Sequence, residues 1–184
     1  MNFLEGENIY LRPLCESDID GKYRNWLNDS EVCGGNSHCR FPVTPNHLRE
    51  YINSIEKNQN NLILAIIWKK NNQHIGNVSI QNINYISRMG EFAILIGEKD
   101  YWNKKCGKEA MALVISHSFK NMNLNRIYCG TYENNIGMRK LAENMGFKQE
   151  GIRRQADFKE GKFIDVIEYG LLKSEWENKE ESVL

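Results

Sequence analysis

The tightest constraint on this chain is a change of hydrophobic period in its second half. Residues 91–96 read as a strand, with Phe92, Ile94 and Ile96 alternating against Glu91, Ala93 and Leu95. From Gly107 the spacing becomes helical. Ala110, Met111, Leu113, Val114, Ile115, Phe119 and Met122 cover more than one side, so this helix is expected to be buried. Residues 126–132 return to a strand pattern. A strand, a crossover helix and a second strand imply a parallel pair. Ligands of such units gather outside the carboxyl end of a parallel strand, here the segment between Ile96 and Gly107.

The flanks add antiparallel strands and short helices. Ile9, Leu11 and Leu14 mark a first strand, and a helix is expected from near Ser17 through Tyr23, Trp26 and Leu27, with Asp18 and Asp20 in its first turn. Thr44-Pro45 opens a second helix that carries Leu48, Tyr51, Ile52 and Ile55 on one face. Residues 62–68 and 74–81 form a hairpin about a turn at 69–73. A helix over 136–145 stops at Gly146, and strands over 147–154 and 163–171 turn at Glu160-Gly161. The expectation is an α+β domain over residues 1–174, with a mixed sheet of about seven strands and about four helices, and a polar, frayed tail over 175–184.

Composition removes several function classes. The longest apolar run, residues 62–68, is far short of the roughly 18 residues a spanning helix needs, and the opening MNFLEGENIYLRP has no basic segment before an apolar stretch. Neither a membrane span nor a secretory leader is expected, and the cytoplasm is the expected location. Twenty-four Lys and Arg balance twenty-four Asp and Glu, which leaves no basic field for nucleic acid. The five cysteines, Cys15, Cys33, Cys39, Cys106 and Cys129, are odd in number and lack a CxxC pair, as suits reduced thiols. Cys33, His38 and Cys39 lie close together, but no second ligand cluster follows, so no metal is expected. A metal-binding interaction module would instead bring zinc with it on purification.

Residues 97–109 read GEKDYWNKKCGKE, which sets Lys104, Lys105 and Lys108 around a helix N-terminus. That end already carries partial positive charge, so each lysine costs about 0.3–1 kcal/mol unless an anion is bound. A phosphate would reverse the sign, because backbone N–H groups, helix dipole and ammonium groups would all favour it. A solvated basic loop that carries the cost is the other reading. The GxxxxGK[ST] pattern of a Walker loop is absent.

Residues 91–119, followed by Leu124-Asn125-Arg126-Ile127, Glu133-Asn134-Asn135 and Asn144-Met145-Gly146-Phe147, resemble the GNAT superfamily of acetyl-CoA-dependent N-acetyltransferases. Within it they resemble the branch of ribosomal-protein N-terminal acetyltransferases and amino-sugar acetyltransferases. Leu11-Arg12-Pro13-Leu14, Trp26-Leu27-Asn28-Asp29, Glu150-Gly151 and Tyr169-Gly170-Leu171-Leu172 extend the resemblance over nearly the whole chain. It implies a GNAT-like domain with a splayed parallel pair and acetyl-CoA as co-substrate. The backbone at Ile94, Leu95 and Ile96 would bond the pantetheine arm, and Trp102, Asn103, Lys104, Lys105, Cys106, Gly107 and Lys108 would wrap the pyrophosphate. Asn135 would contact the pantetheine region, although a turn residue before a helix suits the same position. Two departures stand out: Lys105 occupies the first glycine position of the loop, and the tyrosine that many members use to protonate the thiolate falls at Ala142.

A thiol with pKa near 8.5 leaves as thiolate with little help, whereas an amine has to lose a proton before it attacks. Glu91 matches an acidic position of the family's equivalent strand and is the candidate base, acting directly or through water; a structural glutamate is the alternative, and Glu133 and Tyr132 come next. The acceptor is expected at the two-helix segment and the loop over 34–41, where Trp26, His38, Arg40 and Phe41 form a rim or simply pack. The expected reaction is direct attack by a primary amine, a peptide N-terminus or amino-sugar nucleotide, with the oxyanion met by a backbone N–H in residues 94–96. A second copy of the chain is a further candidate partner. A non-catalytic acyl-CoA binding or sensing domain is the rival, favoured by Lys105 and Ala142.

Overall fold

The computed structural model describes residues 2–181. In chain order these form β1 (Leu4–Glu5), β2 (Ile9–Pro13), α1 (Tyr23–Trp26), α2 (Pro45–Glu56), β3 (Leu62–Trp68), β4 (Gln73–Asn84), β5 (Met89–Ile96), α3 (Cys106–Lys120), β6 (Arg126–Tyr132), α4 (Ile136–Asn144), β7 (Lys148–Lys159), β8 (Lys162–Leu172) and α5 (Lys173–Glu181). The strands make one sheet in the order β1-β2-β3-β4-β5-β6-β8-β7. The β5–β6 pair is parallel and the others are antiparallel, as the α+β reading expects.

The unbroken apolar run of β3 follows from cover on both faces. Leu64 and Ile66 join a core with Met111, Ile115 and Phe119 of α3, while Ile63, Ala65 and Ile67 join a second core with Tyr23, Trp26, Leu48 and Ile52 of α1 and α2. With helices on either side, the five inner side chains from Ile63 to Ile67 are all buried, so polar alternation disappears.

The central parallel ladder is short. Only Met89, Gly90 and Glu91 pair with Arg126, Ile127 and Tyr128. Beyond them β5 stays bonded to β4, from Phe92↔Ile80 to Ile96↔Gly76, and β6 stays bonded to β8, from Cys129↔Tyr169 to Tyr132↔Val166. Each strand keeps its outer neighbour while the inner edges part. The result is a wedge that opens toward the start of α3.

Two expectations need correction. The helix expected from Ser17 is a 3₁₀ turn at Glu16–Asp18 followed by the four-residue α1. Asp18 is the cause: it is 5% exposed, and its carboxylate accepts two bonds from Arg12 (2.8 and 2.7 Å) and one from the Cys15 N–H (2.9 Å). Its Oδ1 also lies 3.2 Å from His74 Nδ1. Burial by itself would raise the Asp18 pKa, but the bonds from Arg12 and His74 outweigh it and hold the carboxyl far below the carboxylate range. The acid thus anchors the turn to β2 and β4 as well as capping it through the Cys15 N–H. Similarly, the tail expected to fray from Glu175 runs on in α5, because Trp176 is buried in the main core. Glu175 secures the turn by accepting from the Leu172 N–H (2.9 Å) and from Lys148 (2.5 Å). Residues 182–184 lie outside the described residues. Among the described residues, no helix is long and apolar enough to cross a membrane.

Candidate active site

The wedge and the start of α3 share one end of the molecule. α3 begins at Cys106, with Lys105 as N-cap residue at φ 62° and ψ 0°, and Lys105 supplies no side-chain cap. Asn103 is left-handed as well, at φ 62°. A side chain in this region costs about 1–2 kcal/mol, so the lysine sits where glycine would be unstrained. Lys104, Lys105 and Lys108 are exposed, and the Lys104 ammonium lies 4.9 Å from the centre of the Tyr101 ring. Trp102 donates its indole N–H to the Ile96 carbonyl at 2.8 Å, which fastens the loop to the end of β5. Gly107 faces Ile94 and Ile96, and a methyl group there would lie 3.7 Å from Ile94 Cδ1. Cys106 is buried with its thiol donated to the Tyr101 carbonyl (3.3 Å), and burial pushes its pKa up. It is a packing residue in this arrangement.

Glu91 stands at the closed end of the wedge, level with Tyr128. It is half-buried, and its Oε2 accepts from Asn82 Nδ2 at 2.8 Å. Ala93, two residues on along the same face, is exposed. Ile94 is three residues farther along β5 than Glu91, about 10 Å at strand rise, so a proton released near Ile94 needs a water to reach the carboxylate. Glu133 lies exposed past the tip of β6. The Tyr132 phenol is already committed, because it donates to Asp157.

The expected acceptor rim divides. Trp26 is 3% exposed and belongs to the second core, with its indole N–H bonded to Glu98 at 2.8 Å. Its ring covers Gly97 so closely that a Cβ there would fall 1.9 Å from Trp26 Cδ2. Trp26 is therefore corrected from a rim residue to a core residue. His38, Arg40 and Phe41 do lie on the surface loop, and Phe41 is 81% exposed.

This loop is tied down from three directions. Arg40 pairs with Asp157 and donates to the Phe158 carbonyl at 3.2 Å. Lys159 donates to the carbonyls of Cys33 and Asn36. Asn135 caps α4 by accepting from the Met138 N–H (3.1 Å), and its amide donates to the Gly35 carbonyl (3.1 Å). The bond from Tyr132, with help from Arg40, holds the Asp157 carboxyl down at about 2, while burial and Asp157 push the Tyr132 phenol up to about 12. Both groups keep their charge states through the neutral range. Beneath the loop, an open cavity of about 220 Å³ is bounded by Gly35, Ser37, Thr131, Tyr132, Arg153 and Asp157.

Asp157, Lys159 and Thr131 carried no signal that reading along the chain could detect. Their importance comes from contacts with residues about a hundred positions away, or, for Thr131, from the lack of any. The Thr131 residue is 4% exposed and its hydroxyl has no hydrogen-bond partner. Among the described residues, no group of three or more His, Cys, Asp or Glu is placed to hold a metal ion.

Comparison with known proteins agrees with this geometry. A family model described as an acetyltransferase (GNAT) domain matches residues 8–148. The chain is 27% identical over 178 residues to the uncharacterised N-acetyltransferase p20 of Bacillus licheniformis, covering 96% of this chain and 99% of that protein. It is 30% identical over 170 residues to YdaF of Bacillus subtilis (strain 168), which its name assigns provisionally to the ribosomal N-acetyltransferases, covering 90% of this chain and 87% of that one. Among solved structures, spermidine N-acetyltransferase from Vibrio cholerae in complex with CoA and spermine superposes with a TM-score of 0.86 at 24% identity, over 94% of this chain and 100% of that chain.

Proposed function

From the premise that this chain belongs to the GNAT acetyltransferases and is an acetyl-CoA-dependent N-acetyltransferase, we propose how its residues divide the work and which amine it serves. The sensing-domain rival rests on Lys105 and Ala142 alone. The observation that carries the reading is the parallel ladder that stops at Glu91↔Tyr128, with the lysine-framed start of α3 beyond its open end. The backbone of Ile94, Leu95 and Ile96 borders the acyl-pantetheine, and the loop from Trp102 to Lys108 meets the phosphates with N–H groups and ammonium charge. Asn135 positions the acceptor loop through Gly35.

The acceptor enters through the cavity beneath that loop. A neutral amine attacks the thioester carbonyl, a backbone N–H in residues 94–96 meets the oxyanion, and Glu91 receives the amine proton through water. The cavity's acids have cationic partners: Asp157 is paired with Arg40, and the adjacent Glu168 is paired with Arg153. A polyamine carries several positive charges and needs unpaired carboxylates, whereas a peptide N-terminus brings one amine and polar backbone to a mixed wall. The peptide N-terminus is accordingly the favoured acceptor class, ahead of amino-sugar nucleotides, and spermine, the ligand of the Vibrio cholerae structure, ranks last. Five free cysteines suit the cytoplasm as the place of action.

The test is release of free CoA thiol from acetyl-CoA with peptide N-termini, amino-sugar nucleotides and polyamines supplied in parallel. The highest kcat/KM is expected with the peptides. Preference for a polyamine would reverse the acceptor assignment, and no turnover with any class would remove the proposed division of roles.

A further inference from the structure

Among the described residues, Thr131 is the buried side chain of the wedge whose hydroxyl has no hydrogen-bond partner. Buried hydroxyls are nearly always bonded, and an orphan beside a cavity points to a ligand that completes it. Ile127 and Cys129 of β6 turn into the main core, and Thr131 follows them in alternation, while Tyr128 and Gly130 face the other way. Continuing the register of Glu91↔Tyr128 sets Thr131 level with Ile94, three residues past the last pair. Ile94 packs against the same core. Thr131 also lines the acceptor cavity. Thr131 therefore stands where the wedge meets the acceptor cavity, level with Ile94, with its unbonded hydroxyl enclosed on the core face.

We propose that Thr131 is a further catalytic residue of the acetyl transfer, whose hydroxyl donates a hydrogen bond to the thioester sulfur as the C–S bond breaks. The inference rests on the reading that acetyl-CoA occupies the wedge. The amine nitrogen forms its bond to the carbonyl carbon while backbone N–H groups on the β5 side meet the carbonyl oxygen. The sulfur then lies toward the opposite wall, which is β6. On collapse of the tetrahedral intermediate the C–S electron pair stays on sulfur, and the amine proton passes to water or Glu91. Thr131 keeps its own proton and stabilises the thiolate through O–H···S, and CoA departs as thiolate or takes a proton from water. The side chain at position 142 is a buried methyl group with no proton to share.

The test compares Thr131→Val, which keeps the shape and removes the hydroxyl, with Thr131→Ser, which keeps the hydroxyl. Valine suits a buried strand site, so the melting temperature without ligand should be unchanged or higher. If that variant does not fold, Thr131→Ala makes the same comparison. Two readouts apply: kcat with a good amine acceptor, and titration of the bound CoA thiol, followed by thiolate absorbance. Loss of the hydroxyl should lower kcat about 10- to 100-fold with little change in KM for acetyl-CoA, and should raise the pKa of the bound thiol by about one unit. Serine should restore both. A Thr131→Val protein that binds CoA with an unshifted thiol titration and wild-type kcat overturns the Thr131 assignment alone. A wild-type protein that binds no CoA overturns the wedge reading, and the Thr131 assignment falls with it.

Discussion

Glu91 at the closed end of the wedge holds Asn82 with one carboxylate oxygen, which leaves the other to take a proton. Glu91→Gln keeps the size of the side chain and removes the base. Near pH 7, kcat should fall by about 10²–10⁴ while the Kd for acetyl-CoA stays constant. Pre-steady-state and pH-rate measurements check this: the variant's rate should keep climbing with pH after the wild type has levelled, because free amine becomes abundant without help. A variant with wild-type kcat and pH profile would make Glu91 only a partner of Asn82. A second residue-scale prediction concerns the anchor Asp18. Arg12→Ala strands a buried carboxylate and should cost about 3–5 kcal/mol in denaturant titrations. Because the folded pKa of Asp18 is depressed, its contribution is fully present above the unfolded value of about 3.9 and is lost as pH falls through the lower folded value. The stability gap between wild type and Asp18→Asn should therefore be full at about pH 6 and shrink below about pH 4. Of these residues, Glu91 was readable because its type and its place on an alternating strand both narrow its role. Trp26 was not, since an aromatic ring beside a loop serves a rim or a core equally well; the close approach of Gly97, far along the chain, decides for the core.

Among the elements, α3 and the strands beside it were the most legible, because a change of period is carried by the side chains themselves and needs no partner to be seen. Lys105 stands at the first glycine position of the loop that the resemblance implies, and it is left-handed there. Lys105→Gly separates two effects there. Backbone relief of about 1–2 kcal/mol less the greater freedom of glycine in the unfolded chain should leave the protein about 0.5–1 kcal/mol more stable. The same change removes one ammonium from the anion site, so CoA should bind several-fold more weakly. Chemical denaturation and calorimetry together check the opposite signs, and a stabilised variant with unchanged affinity would show that Lys105 is idle toward the phosphates. The first helix was misread for the converse reason. Ser17, Asp18 and Asp20 have ordinary N-terminal helix chemistry, but the Asp18 carboxylate is pulled to Arg12 and His74, and that contact belongs to the tertiary structure.

At the scale of the whole molecule, two cores on either face of one sheet hold β5 and β6 firmly by their outer neighbours, and that grip is what allows their inner edges to stay apart. The parallel pair followed from the crossover unit, but the loop tethers that set the acceptor cavity did not, because Arg40, Asp157 and Lys159 meet only after the hairpin of β7 and β8 folds back. α5 was hidden by its polar composition, since one tryptophan, Trp176, supplies its core contact. The account's central claim is that the open wedge and the lysine-framed start of α3 form one site for acetyl-CoA. The most direct measurement is the CoA affinity of the wild type and of Lys104→Glu with Lys105→Glu, by calorimetry at a single ionic strength. The account predicts binding by the wild type and a loss of about 10- to 100-fold in the double variant, with its melting temperature in the absence of CoA unchanged. Equal affinities in the two proteins would contradict it.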